Sequence, residues 1–95
     1  MRLEATIIGR VQGVGFRWFV RDRAVALGLS GWVRNRADGS LEVLADGPAE
    51  ALAAFEDALR LGPPGAIVRS VQAIRSAGPA VVAGFVIRGS EHRGD

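Results

Sequence analysis

The chain has 95 residues, 48% hydrophobic and 23% charged, the balance of one globular domain and not of a disordered segment. It has no cysteine, which excludes disulfides, thiolate chemistry and cysteine–metal sites, and no apolar run reaches the ~18 residues of a membrane span. The isoelectric point near 11.0 overstates the basicity: all 12 basic residues are arginine and the net charge is only +2, so the value reflects a side chain that does not titrate.

In chain order, Leu3, Ala5 and Ile7 alternate with Glu4, Thr6 and Ile8, which predicts a half-buried first strand. A glycine-bearing turn follows, G-R-V-Q-G-V-G-F-R from Gly9 to Arg17. Phe16, Val20, Ala24 and Leu27 then recur at helical spacing, and Gly28 stands where a left-handed C-terminal cap falls. Leu29 to Asn35 predicts a second strand. Ala37-Asp38-Gly39-Ser40 has the composition of a tight hairpin turn, and Leu41, Val43 and Ala45 continue as a third strand.

Pro48 suits the first position of a second helix, whose apolar stripe is Leu52, Phe55 and Leu59. Leu61-Gly62-Pro63-Pro64-Gly65 ends it. Ile67 to Arg75 predicts a fourth strand with an ambiguous inward face. After a turn at Gly78-Pro79, Val81 to Arg88 predicts a last strand with Ala83, Phe85 and Ile87 inward. The order is βαββαβ with an added C-terminal strand, an α+β ferredoxin-like sandwich with two helices on one face of an antiparallel sheet. Residues 1–90 form the domain, and 91–95 read as a disordered tail.

The glycine turn joins a strand to a helix. Its backbone N–H groups, the helix N-terminus and Arg17 together suit an anion. A plain turn with glycines relieving strain is the competing reading. Nucleotide fingerprints fail on spacing: a Walker loop requires a lysine that the chain lacks, and Trp18 stands where the third glycine of a dinucleotide fingerprint belongs. A second segment, G-W-V-R-N-R-A-D-G from Gly31 to Gly39, ends the second strand. Its Asn35 is unusual inside a strand, though it could simply serve the hairpin.

Together the two segments, about fourteen residues apart, resemble the signature pair of the acylphosphatases. The likeness extends to length, element order and Gly47 after the third strand. Leu41 replaces the family's usual valine, and the tyrosine often found near the last strand is missing. The resemblance implies hydrolysis of the carboxyl–phosphate bond of acyl phosphates, giving a carboxylate and inorganic phosphate. It maps the catalytic arginine onto Arg17 and the catalytic asparagine onto Asn35. The phosphate loop maps onto Gln12, Gly13, Val14, Gly15 and Phe16.

The residues fit that chemistry. A carboxylate leaves as a stable anion, so the reaction requires phosphate neutralisation and a positioned water more than a general acid. The chain has one histidine, His92 in the expected tail, and spread acids without metal-ligand spacing, so nucleophilic, metal and cofactor chemistry are not expected. Arg10, Arg21 and Arg34 read as solvated surface, and Trp18 and Trp32 as packing residues. A rival class is an RNA-binding module, since Val14 to Val20 loosely echoes an aromatic recognition motif, but that motif belongs on a central strand. Another is a domain binding acyl or carbamoyl phosphate for a larger maturation enzyme, which the 95-residue length disfavours. The expectation is a cytoplasmic monomer acting on a small molecule, without nucleic-acid or membrane partners.

Overall fold

In a computed structural model the elements are β1 (Arg2–Arg10), α1 (Phe16–Ala26), β2 (Ser30–Asn35), β3 (Leu41–Asp46), α2 (Ala49–Leu61), β4 (Ile67–Ser76) and β5 (Phe85–Ile87). The structure describes residues 1–77 and 84–89. The expected Gly78-Pro79 turn, Ala83, and the tail with His92 lie outside the described residues. The strands form one sheet in the order β4-β1-β3-β2-β5. β1 pairs antiparallel with β3 and β4, and β2 with β3. The added strand β5 joins the outer edge of β2 in parallel.

Alternation along the strands sorts the residues into two faces. Leu3, Ala5, Ile7, Val33, Leu41, Val43, Ala45, Val71 and Phe85 are buried. Their register aligns them in rows, such as Leu3 beside Ala45 and Ala5 beside Val43, which in turn sits beside Val33. Phe16, Val20 and Ala24 of α1, and Leu52, Phe55 and Leu59 of α2, are buried in the same cluster. The helices therefore cover the inward face of the sheet, and each fully buried large side chain contributes roughly 1.5–3 kcal/mol. Phe55 and Phe85 meet edge-on, with ring centroids 6.1 Å apart, which draws the short β5 into this core.

The expected stripes hold, with local differences. Leu27 is the C-cap of α1 and only half-buried, because the helix stops at Ala26. There the Gly28 N–H donates to the Val25 carbonyl at 3.0 Å and the Leu29 N–H to the Ala24 carbonyl at 2.9 Å, the paired closure of a Schellman motif. Pro48 caps α2 instead of entering it: its ψ of 148° is extended, and its carbonyl accepts from Leu52 N–H at 3.0 Å. In β4 only Val71 is buried, which explains why that strand's inward face is hard to read. The opposite sheet face holds the Arg34–Glu42 pair at 2.7 Å, with the Arg88 guanidinium 4.7 Å from the Trp32 ring centroid.

Candidate active site

Helix α1 begins without a side-chain cap and without an acid in its first turn. Its N-cap is Gly15, at φ 75° and ψ 18°, and Phe19 N–H donates to the Gly15 carbonyl at 3.1 Å. The N–H groups of Phe16, Arg17 and Trp18 precede that bond, so the helix offers them no acceptor. Gly13 also has φ 75°. At both glycines an added Cβ would meet nothing within 4 Å; conformation, not space, favours glycine. The result is an open concavity at the positive end of a helix dipole.

Asn35 reaches this concavity from β2. Gly31, Val33 and Asn35 share the inward parity of the strand, so Asn35 is an inward residue at the point where the sheet runs out beneath the α1 N-terminus. Val11, Gly13, Gly15, Phe16, Arg17, Trp18 and Asn35 line one cavity of about 220 Å³. The Asn35 Oδ1 is buried and has no hydrogen-bond partner. A buried acceptor left unmade is costly, about 1–3 kcal/mol, and a water or ligand donor inside the cavity would relieve that cost.

Of the residues expected at the site, Gly13, Gly15, Phe16, Arg17 and Asn35 line the cavity, while the side chains of Gln12 and Val14 do not. Val14 packs against the core. Gln12 turns its amide toward the hairpin after β2, donating from Nε2 to the Arg36 carbonyl at 2.8 Å and to the Ser40 carbonyl at 2.9 Å. The hairpin is closed internally by Arg36 N–H to the Ser40 carbonyl, at 2.8 Å, and by Asp38 Oδ1, which accepts from Ser40 N–H and Oγ–H at 2.9 and 2.6 Å. The Ser40 hydroxyl and N–H hold the Asp38 carboxyl below the ordinary range. Gln12 thus fastens the glycine loop to the segment that carries Asn35.

Two lining residues go beyond the expected set. Val11 is a buried wall, legible in retrospect because it continues the inward parity of Ile7 and Gly9. Trp18 does not pack as expected: it is 61% exposed, since it lies off the Phe16–Val20–Ala24 stripe. Trp32 is half-buried on the opposite sheet face. Arg10 is exposed and Arg34 is paired with Glu42, so neither lines the cavity. The aromatic segment expected of an RNA reader runs through the glycine loop into α1, and its Phe16 is 1% exposed. Among the described residues no group of three or more His, Cys, Asp or Glu could hold a metal ion, and no helix is long and apolar enough to cross a membrane.

A ferredoxin-like sheet with an open concavity at the first strand-to-helix turn defines the class. The acylphosphatase family model matches residues 3–87, and the chain belongs to the acylphosphatase family. It is 50% identical over 84 residues to an acylphosphatase of Koribacter versatilis, covering 88% of this chain and 76% of that one. It is 46% identical to the acylphosphatase of Salinibacter ruber, covering 92% of each. The crystal structure of acylphosphatase from Bacillus subtilis superposes with a TM-score of 0.89 at 40% identity, covering 92% of this chain and 97% of that one. A similar fold also forms 12% of full-length HypF, solved in a phosphate- and nucleotide-bound form, with a TM-score of 0.81 and 30% identity over 94% of this chain. The activity is acylphosphatase-type hydrolysis of acyl phosphates, with a small-molecule substrate.

Proposed function

We propose that the cavity at the start of α1 is where this hydrolysis occurs, with the glycine loop and Arg17 holding the phosphoryl group and Asn35 orienting the attacking water. The observation that carries the reading is the buried, unpartnered Asn35 Oδ1 in the same cavity as Arg17 and the uncapped helix end. An acceptor of that kind takes an O–H from water and directs the oxygen lone pair onward. The loop N–H groups, those of Gln12 to Phe16, and the Arg17 fork take the phosphoryl oxygens and neutralise their charge.

In this scheme the water oxygen bonds to phosphorus while the bond from phosphorus to the bridging oxygen breaks in line. The bridging oxygen leaves with its electron pair as part of a carboxylate, which needs no proton near neutral pH. The water's proton passes to a phosphoryl oxygen, so the products are a carboxylate and inorganic phosphate. Asn35 is too weak a base to take that proton, and its contribution is position. No step calls for a metal.

The test is hydrolysis of benzoyl phosphate by purified protein in excess chelator, with Arg17→Ala alongside. The expected result is turnover that chelator does not diminish and that the variant loses, together with weakened inhibition by inorganic phosphate. Turnover retained in folded Arg17→Ala would overturn the assignment of the cavity.

A further inference from the structure

The phosphate cavity has a neighbour that shares one wall with it. A groove of about 360 Å³ between α1 and β5 is lined by Trp18, Arg21, Phe85, Val86 and Ile87. Trp18 is the residue common to this groove and the phosphate cavity. Phe85 is buried and Ile87 packs against the core; their register beside Gly31 and Val33 turns both toward the helices, while Val86, beside Trp32, faces the other way.

Building on the reading of the phosphate site, we propose that Trp18 forms the seat for the acyl group at this groove and gives the enzyme a preference for acyl phosphates with a flat, apolar acyl group. In an acyl phosphate a single bridging oxygen separates phosphorus from the carbonyl carbon. With the phosphoryl group in the glycine loop, the acyl group must begin at the rim of that cavity, and Trp18 stands on the rim. Its exposed indole offers a ring face to an aromatic acyl group. The core does not require an aromatic there, because α1 buries Phe16, Val20 and Ala24 instead.

Charge separates this groove from the cavity on the other side of the sheet. The cavity on the uncovered sheet face, about 320 Å³, is lined by Glu4 and Glu42 among others, which repel a dianionic substrate. Among the described residues the groove beside Trp18 has no acid in its lining, and its one charged member is Arg21. Arg21 has Asp22 at 3.7 Å with both side chains well exposed, a pair of little strength. The guanidinium leaves the groove mildly positive along the path of an anionic substrate.

The test compares kcat/KM for benzoyl phosphate and acetyl phosphate, using the full chain and its Trp18→Ala and Trp18→Phe variants. Differences in intrinsic reactivity cancel, because the same two substrates are compared in every protein. Trp18→Ala is expected to lower the benzoyl-to-acetyl ratio at least about fivefold, the scale of one lost aromatic contact. Trp18→Phe is expected to keep most of the ratio. Inhibition by inorganic phosphate is expected to move less than about twofold, because the cradle binds phosphate through other groups. A ratio unmoved in Trp18→Ala, or equal losses on both substrates, overturns the acyl seat. Failure of the underlying phosphate site shows separately, as phosphate inhibition that survives Arg17→Ala.

Discussion

Helix α2 starts at Ala49 behind Pro48 and carries Glu50 in its first turn, a carboxylate that complements the helix dipole from within the chain. Helix α1 starts at Phe16 behind Gly15 and has neither acid nor side-chain cap there; Arg17 adds positive charge to an end that is already positive. Both helices bury three apolar residues against the same sheet, so packing treats them alike. Their N-termini differ because α2 compensates its own dipole with Glu50 and α1 does not. Local rules of helix stability are followed at one end and suspended at the other, a pattern associated with functional sites.

The contrast breaks most visibly at Arg17. Replacement by alanine should reduce kcat/KM for benzoyl phosphate by at least about 10³-fold, while stability changes by no more than about 0.5 kcal/mol; steady-state kinetics beside urea melts checks both. On the α2 side the expectation is reversed. Phe55→Ala should cost about 3–5 kcal/mol of stability and leave kcat per folded molecule within about twofold of wild type, measured below the melting transition. Asn35→Ala should lower kcat about 10²-fold with little change in KM. Its melting temperature should not fall, since the variant removes a buried acceptor that lacks a partner.

Smaller effects sharpen the comparison. Glu56 on α2 accepts from Arg60 at 2.9 Å and from Arg75 of β4 at 3.1 Å, and these bonds hold its carboxyl below the ordinary range. A depressed carboxyl stabilises the fold above its unfolded pKa of about 4.3, and that contribution is lost as pH falls through the lower folded value. Melting temperature should therefore drop in acid, with Glu56→Gln flattening the profile by the equivalent of at most about 1 kcal/mol, as befits a partly exposed pair. Asp38 is depressed by Ser40 and acts in the same direction on the hairpin. The least effect belongs to Glu50→Gln, roughly 0.5 kcal/mol of stability and no change in kcat.

Much of this was legible in the sequence. The alternation of Leu3, Ala5 and Ile7 and the spacing of Leu52, Phe55 and Leu59 give the layers directly, because each element buries one face. The two glycine-bearing segments carry the family resemblance, and Arg17 and Asn35 line one cavity in the fold. What stayed hidden depends on contacts between distant segments. Nothing local announces that β5 pairs in parallel with β2, or that Gln12 directs its amide at a hairpin 24 and 28 residues away. Trp18 was misleading because a large aromatic normally belongs in the core. Pro48 was displaced by one position because its fixed φ suits an N-cap and a first turn equally, and only its extended ψ distinguishes them.

The Gln12 amide has a consequence for the motions of the molecule. Glycine-rich loops and hairpin tips are ordinarily separate, weakly protected opening units. Here one side chain donates from the first to two carbonyls of the second, so neither can swing away alone without stranding those bonds. The loop and the hairpin should therefore open as one cooperative unit, with similar opening free energies in native-state hydrogen exchange. Gln12→Ala should uncouple them, letting the hairpin amides exchange faster while those of α2 keep their protection.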